Sequence, residues 1–313
     1  MTDVPVIVVG AGPAGSVAAR ELARRGTGVL LVDQATFPRA KVCGCCLNVA
    51  GVGALEAVGL GYVLRDLGAV PLRRVRLAAG RADAEVALPG GVAVSRDALD
   101  LALLRAAEAA GAAVTTGVRA RVEEDGGLRV RLADAVVTPN VVVLASGLPT
   151  RADAAPGSRL GAGVVLPAGA APAFFAAGTI YMATARGGYV GLVRLEDGRL
   201  DLAAAFDAAF VKAAGGLGAA AADVLKTTRW PLPPDLADAS WKGTPALTRA
   251  PAAVAGRRTF AVGDAAGYVE PFTGEGMAWA VAGAAALAPI VQRAAAGWTE
   301  AHAAEWRRAH ARV

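Results

Sequence analysis

The 313-residue chain has few of the residues on which disulfide-built, zinc-binding or membrane-spanning proteins depend. Three cysteines are too few for a disulfide scaffold, and the only two histidines, His302 and His310, lie in one predicted terminal helix, which disfavours a zinc site. The longest uncharged apolar stretch, residues 277–291, is shorter than the roughly 20 residues of a membrane span. We therefore expect that stretch to form a buried helix.

Charge is also scarce. The chain has 32 basic and 27 acidic residues, a net charge of +5, and charged residues make up 19% of it. Because no block of lysine and arginine occurs except near the C-terminal end, nucleic acid is not an expected partner. The hydrophobic content of 55% excludes a disordered or fibrous chain and predicts a large buried core.

The three cysteines are crowded together as Cys43, Cys45 and Cys46, and no basic-then-apolar leader precedes the first apolar run, residues 4–9. Both features predict a reduced, cytoplasmic compartment. A strained disulfide within this group is the alternative.

Apolar periodicity predicts a βαβ unit at the start of the chain, with strand 4–9, helix 16–25 and strand 29–32. Two later apolar runs, 141–145 and 259–262, are typical of strands that are covered on both faces. The main sheet is therefore expected to be assembled from distant segments.

Further elements are predicted beside this sheet. We expect helices at residues 96–110, with Ser95 as the N-cap, and at residues 274–288. Short β-rich runs between residues 123 and 138 predict a meander. A second, antiparallel sheet is predicted from alternating runs at residues 174–182, 189–195 and 200–206.

The glycine turn Gly10-Ala11-Gly12-Pro13-Ala14-Gly15 follows the first strand and opens the first helix, as a dinucleotide-binding turn requires. Gly10 allows the tight turn, Gly12 lets a pyrophosphate approach, and Gly15 permits close helix packing. Asp33 ends the next strand, where its carboxylate can bind a ribose diol and would repel a 2′-phosphate. The pattern indicates FAD or NAD.

A second motif stands near the other end of the chain: Phe260-Ala-Val-Gly263-Asp264-Ala-Ala-Gly267, then Pro271-Phe-Thr-Gly274-Glu-Gly276-Met277. It resembles the second FAD fingerprint of the glutathione-reductase-type flavoproteins, in the branch of p-hydroxybenzoate hydroxylase, flavin halogenases and geranylgeranyl reductases. The resemblance implies that Asp264 holds the ribityl chain and that the helix near Gly274 points its N-terminus at the flavin. Backbone donors there would stabilise negative charge.

This resemblance implies an α/β fold, in which a glutathione-reductase-type Rossmann FAD-binding domain is interleaved with an antiparallel β-sheet substrate domain. The expected FAD-binding domain is discontinuous, with residues 1–70, 92–155 and 245–313. The expected substrate domain comprises residues 71–91 and 156–244.

The segment Phe37-Pro38-Arg39-Ala40-Lys41-Val42-Cys43-Gly44 resembles one in geranylgeranyl reductases that sets a cysteine beside the isoalloxazine. The resemblance implies flavin contacts from Arg39, Cys43 and Gly44. A lysine and a helix N-terminus near Cys43 would lower the pKa of its thiol, so Cys43 and Lys41 are candidate catalytic residues. The alternative is that the cysteines are merely small buried residues.

Arg96 lies in a segment, residues 94–100, that resembles the family segment whose arginine reaches the flavin pyrophosphate. The alternative is a solvated arginine in the first turn of a helix.

Other features depart from the monooxygenase pattern. Ser146-Gly147 stands where monooxygenases of this family usually have an Asp-Gly pair, which puts NADPH-driven hydroxylation in doubt. The Trp-x-Trp-x-Ile-Pro motif of halogenases is absent, which argues against a halogenase. No second nucleotide turn is present, so NADPH or NADH would have to dock transiently as the electron donor.

The predicted second sheet offers an apolar wall and few acid–base groups. Tyr189 is the candidate proton donor, and no carboxylate or histidine cluster is expected there. The predicted wall residues are Phe174, Phe175, Tyr181, Met182, Tyr189 and Phe206.

Three functions remain open from the sequence. The first is an FAD-dependent, geranylgeranyl-reductase-like enzyme that transfers hydride between flavin N5 and a hydrophobic, isoprenoid- or polyketide-like substrate. The second is a flavin monooxygenase that hydroxylates an aromatic or polyketide substrate, and the third is a non-catalytic flavin-binding protein. Expected partners are the small substrate and an electron donor protein. The basic C-terminal stretch with Trp298 and Trp306 is a candidate membrane-surface contact, but an amphipathic terminal helix is more often a partner or core contact.

Overall fold

The structure is a computed structural model that describes residues 4–124, 127–133, 135–148, 154–249, 253–270 and 274–312. The strands of the described residues are, in chain order, β1 (Val6–Val9), β2 (Val29–Asp33), β3 (Cys46–Leu47), β4 (Val70–Pro71), β5 (Arg74–Ala79), β6 (Ala82–Ala87), β7 (Val92–Ala93), β8 (Ala113–Thr116), β9 (Ala120–Glu123), β10 (Arg129–Leu132), β11 (Ala135–Val137), β12 (Val141–Leu144), β13 (Leu160–Leu166), β14 (Thr179–Ala185), β15 (Gly188–Arg194), β16 (Leu200–Phe206), β17 (Lys242–Ala246), β18 (Ala255–Gly256) and β19 (Thr259–Ala261). The helices are α1 (Pro13–Arg24), α2 (Val49–Ala57), α3 (Gly61–Asp66), α4 (Arg96–Ala109), α5 (Ala208–Ala214), α6 (Leu217–Lys226), α7 (Gly276–Ala296) and α8 (Glu300–His310).

The main sheet has the strand order β18-β19-β12-β1-β2-β8 and is parallel except for β18 at its edge. It confirms the predicted βαβ unit, and the two distant apolar runs pair beside it as β12 and β19. Their carboxyl ends lie at the same sheet edge as the ends of β1 and β2, because parallel strands run in one direction.

Both faces of the main sheet are covered, which explains its continuous apolar strands. Along β1, Val6 and Val8 pack against α1, α4 and α7, whereas Ile7 points to the opposite face. That face is covered by the antiparallel meander β9-β10-β11, whose Leu128 and Val130 region forms a small core with Ile7. The predicted meander is confirmed.

The second sheet has the order β17-β13-β16-β15-β14-β5-β6. It is antiparallel except where β14 pairs in parallel with β5, so the α/β fold with a second sheet is confirmed and that sheet is mixed. The side chains of β16 alternate: Leu200, Leu202 and Phe206 enter a core under α6, whereas Asp201 and Ala203 face away from that core. The division into two domains stays a prediction.

Two local predictions needed correction, and one lies outside the described residues. The run predicted as strand 174–182 begins only at Thr179, because Phe174 and Phe175 lie in a turn; the Phe175 carbonyl accepts a hydrogen bond from Arg194 Nε at 2.7 Å. Ser95 precedes α4 as predicted but does not cap it, since its hydroxyl hydrogen-bonds the Glu196 carboxylate. The Pro271-Phe272-Thr273 part of the second motif lies outside the described residues.

Helix α7 contains the longest apolar stretch and continues past Pro289 to Ala296. By length and composition it qualifies as a membrane span, yet 61% of its most apolar window is buried inside the protein. It packs on α1 and α2, as the sequence predicted for a buried helix. The bent pair α5–α6 also qualifies as one broken span. Trp306 of α8 is buried, and its Nε1 donates to the Ala261 carbonyl at 3.0 Å.

Gly15 is expected to tolerate no side chain. A Cβ there would lie 1.7 Å from the Gly10 carbonyl oxygen. We expect Gly15→Ala to lower the free energy of unfolding of the FAD-free protein by about 3 kcal/mol or more in urea titrations. Gly53→Ala in α2, where no atom lies within 4 Å of the added Cβ, is the control and should gain up to about 1 kcal/mol. Equal stability of the two variants would contradict the packing role of Gly15.

Candidate functional site

A cavity of about 500 Å³ lies between the carboxyl edge of the main sheet and the second sheet. It draws together three motifs that are far apart in the sequence. Of the residues predicted to be catalytic or to bind cofactor, Gly15 alone does not line the cavity, because it packs under the turn. The others that line it are Gly10, Gly12, Pro13, Ala14, Asp33, Arg39, Lys41, Cys43, Gly44, Arg96, Tyr189, Gly263, Asp264, Gly274, Gly276 and Met277.

The nucleotide end of the cavity is built by the first glycine turn. Gly10 has a φ of +104°, and a Cβ there would lie 2.3 Å from the Ala145 carbonyl oxygen, so only glycine fits. Asp33 is held at the end of β2, where its carboxylate accepts hydrogen bonds from the backbone N–H groups of Ala11 at 2.7 Å and Ala35 at 2.8 Å. The carboxylate is therefore positioned before any ligand arrives.

Two observations indicate that this end fits a pyrophosphate. A Cβ on Gly12 would meet only Arg39 Nη2, at 3.5 Å, so the glycine leaves space beside the N-terminus of α1. Within the described part of the chain, the buried Nε of Arg39 has no hydrogen-bond acceptor. An anionic group of FAD would supply that acceptor, so the residues present fit the cofactor.

A buried cluster of charges fixes Arg39 and Arg96. Asp100 is fully buried and accepts hydrogen bonds from Arg96 Nε at 2.9 Å and Nη2 at 3.0 Å. Arg39 Nη2 lies 3.3 Å from the same carboxylate. Burial alone would lower the pKa of Arg96, but Asp100 and Cys43 hold it well above its usual value. The alternative of a solvated Arg96 is wrong.

The three cysteines form no disulfide, and the pKa of Cys43 shifts in the opposite direction to those of Cys45 and Cys46. A hydrogen bond from Cys45 and the nearby Arg96 outweigh burial and lower the pKa of Cys43 to about 5. Hydrogen bonding to Cys43 and burial raise the pKa of Cys45, and burial raises the pKa of Cys46. Cys43 is therefore the thiolate of the group at neutral pH. The sequence predicted that Lys41 lowers the pKa of Cys43, but in the structure Cys45 and Arg96 lower it.

Backbone geometry supports this arrangement. Cys45 has a φ of +52°, in the left-handed region that a residue with a Cβ adopts at a cost of about 1 kcal/mol. Its backbone is tied down because its carbonyl accepts a hydrogen bond from the Val94 N–H at 2.9 Å. Strain of this kind persists only where the surroundings impose it.

Lys41 and Asp264 form a second pair of opposite charges in the cavity. Burial lowers the pKa of Lys41 and raises that of Asp264, and each charge partly offsets the effect on the other. A Cβ on Gly147 would lie 3.1 Å from Lys41 Nζ, so the amine lies beside the Ser146-Gly147 pair noted in the sequence.

Tyr189, on β15, and Tyr268, just after the second glycine motif, both line the cavity. Burial and the neighbouring Glu270 raise the pKa of Tyr189, and burial and Asp264 raise that of Tyr268. Both hydroxyls therefore keep their protons at neutral pH. Tyr268 has no signal in the sequence beyond its place just after the second glycine motif.

The apolar wall differs from the predicted one. Met182 and Tyr189 line the cavity, but Tyr181 and Phe206 belong to the core on the other face of the sheet, because side chains alternate along strands. Phe175, in the turn before β14, is buried in that same core. Phe174 also packs against that core. Besides Met182, the apolar wall is formed by Val75, Leu77, Leu88, Ile180 and Val193.

Asp201 is a carboxylate that the sequence analysis missed on this sheet. It is 3% exposed on β16, and burial and Cys43 raise its pKa well above the usual value. A charged residue inside the apolar run Leu200–Phe206 was the available signal. Among the described residues, no group of three or more potential metal ligands occurs.

Comparison with known proteins supports the flavin assignment. Residues 3–138 match the family described as FAD binding domain. Menaquinone reductase of Mycobacterium tuberculosis is 42% identical over 132 residues, which are 40% of this chain and 32% of that protein. Digeranylgeranylglycerophospholipid reductase 1 of Methanothermobacter thermautotrophicus is 42% identical over 60 residues, 19% and 15% of the two chains. These matches span about a third or less of the relatives' length.

The fold comparison extends over almost the whole chain. PqsL, described as a probable FAD-dependent monooxygenase from Pseudomonas aeruginosa, superposes with a TM-score of 0.76 and 19% identity. The superposition covers 99% of this chain and 92% of PqsL. At this identity the likeness shows the fold, and it confirms the predicted α/β flavoprotein architecture.

Gly12 provides a direct test of cofactor binding. Gly12→Ala adds one methyl group beside the N-terminus of α1, where its only neighbour is the end of the Arg39 side chain. We expect the FAD-free variant to unfold within about 1 kcal/mol of the parent chain and to bind FAD at least tenfold more weakly in fluorescence titrations. Unchanged FAD affinity would contradict the pyrophosphate site.

Cys43 is expected to react as a thiolate in mildly acidic solution. Because the thiolate is the nucleophile, the rate of alkylation by iodoacetamide should rise with pH with a midpoint near 5, while Cys45 and Cys46 stay unmodified. Peptide mapping by mass spectrometry identifies the modified residue, and Cys43→Ser is the control. A midpoint near the ordinary value of 9.0 would contradict the stabilised thiolate.

Proposed function

We propose that the chain is an FAD-dependent oxidoreductase related to geranylgeranyl reductases and p-hydroxybenzoate hydroxylase, and that it reduces an apolar, isoprenoid- or polyketide-like molecule. The observation that carries the proposal is one cavity with two unlike ends. Charged groups and the glycine turn surround its nucleotide end, and an apolar wall with the Cys43 thiolate closes the other.

The sequence relatives support a reductase. By their names, the two relatives are reductases of menaquinone and of a digeranylgeranyl lipid, and both molecules carry isoprenoid chains. The apolar wall of the cavity suits such a chain, because it consists of aliphatic side chains from β5, β14 and β15 with Leu88. Ser146-Gly147 in place of the Asp-Gly pair also speaks for reduction over hydroxylation.

Each residue of the cavity then has a binding task. Arg39 and the turn at Gly12 would hold the pyrophosphate of FAD, Asp33 would bind the ribose, and Asp264 would bind the ribityl chain. Arg96 keeps positive charge between this end and the Cys43 thiolate, because it bonds Asp100, which also contacts Arg39, and hydrogen-bonds Cys43. Bound FAD would supply the hydride chemistry, with NADPH, NADH or an electron donor protein as the source of electrons.

The substrate end is positioned by the chain's own side chains. The aliphatic wall orients an apolar molecule and excludes water from the reacting region. Tyr189 keeps its proton because burial and Glu270 raise its pKa, and its hydroxyl donates that proton in a hydrogen bond to the Glu270 carboxylate, so Tyr189 lines and shapes the cavity. This leaves the delivery of the substrate's proton to another group.

Oxygen dependence separates the candidate functions. The FAD-loaded protein, reduced by light under anaerobic conditions, is mixed with menaquinone or a geranylgeranyl lipid, and flavin absorbance and product mass are followed. We expect reoxidation without oxygen and a product that has gained two hydrogen atoms. Cys43→Ala should retain FAD and change the rate. An oxygen-containing product formed only in air would identify a monooxygenase, and a flavin that neither substrate nor air reoxidises would indicate a binding protein.

A further inference from the structure

A second cavity of about 560 Å³ lies behind the segment that carries Cys43. Residues 40–43 separate it from the cofactor cavity, and Cys43 lines both. Its rim contains the exposed residues Asp235, Asp238 and Lys242, so it reaches the protein surface. A group that connects the two cavities would therefore connect the buried site to solvent.

Asp201 lines this second cavity from the floor of the sheet. Its side chain is almost fully buried, and its Oδ2 atom has no hydrogen-bond partner in the described part of the chain. An unpartnered buried carboxyl oxygen is costly and calls for a functional explanation. Nothing in the binding of FAD or of an apolar substrate uses it.

The Cys45 thiol interacts with both groups. It hydrogen-bonds Cys43 and the carboxyl group of Asp201. A thiol has one hydrogen, so Cys45 can donate to only one of these partners at a time.

We propose that Cys43, Cys45 and Asp201 form a proton relay that joins the cofactor cavity to the second cavity. The proposal rests on the proposed function for its purpose, since reduction of a substrate by hydride requires one proton for each turnover. Its geometry, however, is independent of the substrate.

The transfer balances without any change of oxidation state. The three groups together hold two protons and one negative charge, which resides on Cys43 beside Arg96. When the Asp201 carboxyl gives its proton to Cys45 and Cys45 gives its own to Cys43, the charge moves to Asp201. Cys43 can then protonate a substrate anion in the cofactor cavity, and the Asp201 carboxylate regains a proton from water at the second cavity.

The surroundings favour the negative charge near Cys43 at rest. Arg96 hydrogen-bonds Cys43 and helps to lower its pKa, whereas burial and the Cys43 charge raise the pKa of Asp201. New negative charge in the cofactor cavity would repel the thiolate charge and push it toward Asp201. The other titratable or charged groups facing the relay are Lys41, Cys46, Arg199 and Tyr268.

Infrared titration tests the relay in the FAD-loaded protein without substrate. We expect Asp201→Asn to remove the carbonyl band of one protonated carboxyl group at neutral pH, and Asp223→Asn, on the exposed face of α6, to leave it. Cys43→Ser should lower the pH at which the band disappears, because the thiolate charge is gone. A protonated-carboxyl band of unchanged intensity in Asp201→Asn, or a midpoint that Cys43→Ser does not move, would overturn the relay.

Proton delivery is tested with the reductase assay. We expect Asp201→Asn to keep FAD and slow substrate protonation about 100-fold, with the rate restored by added formate buffer. Cys45→Ala should show the same loss, whereas Cys45→Ser, which keeps one donor, should recover most of the rate. Unchanged rates in Asp201→Asn and Cys45→Ala would overturn the relay. Because the infrared titration uses no substrate, an absence of any turnover would count against the proposed function alone.

Discussion

The buried carboxylate of Asp100 is the constraint on which the site depends. A fully buried charge is stable only when cations and hydrogen bonds match it, and Arg96 and Arg39 provide both. Because Arg39 belongs to the segment after β2 and Arg96 to the start of α4, the carboxylate joins two distant parts of the chain. The same residue hydrogen-bonds Cys43, so the cation that neutralises Asp100 adds to the Cys45 hydrogen bond in lowering the pKa of the Cys43 thiol.

The two sheets divide the remaining tasks. The carboxyl edge of the main sheet carries the glycine turn, Asp33 and Asp264, because loops that follow parallel strands converge at one edge. The second sheet closes the cavity with one face and packs its large aromatic side chains behind the other. A rigid polar site thus faces an apolar surface, and this contrast is the basis of the proposed reduction of an apolar molecule.

Several predictions from the sequence gave the right secondary-structure element but the wrong face of the sheet for its side chains. The run at residues 200–206 was predicted with the bounds that β16 has, but Phe206 was assigned to the cavity wall and lies in the opposite core. A one-residue offset reverses the face of a strand side chain, and a sequence without its partners does not define which face meets the cavity. For the same reason Asp201, which lies on the face of β16 to which Phe206 had been assigned, was missed in the sequence analysis.

The sequence by itself determined the βαβ unit, the glycine turn with Asp33, and the second motif at Asp264, because the residues of each motif are neighbours in the chain and constrain one local backbone shape. Only the tertiary structure decided what surrounds Cys43. Cys45 lies two residues away, but Arg96 and Asp201 come from segments more than 50 residues distant. Electrostatic effects depend on separation in space, so the thiolate and its proton partners emerge only when these segments are packed together.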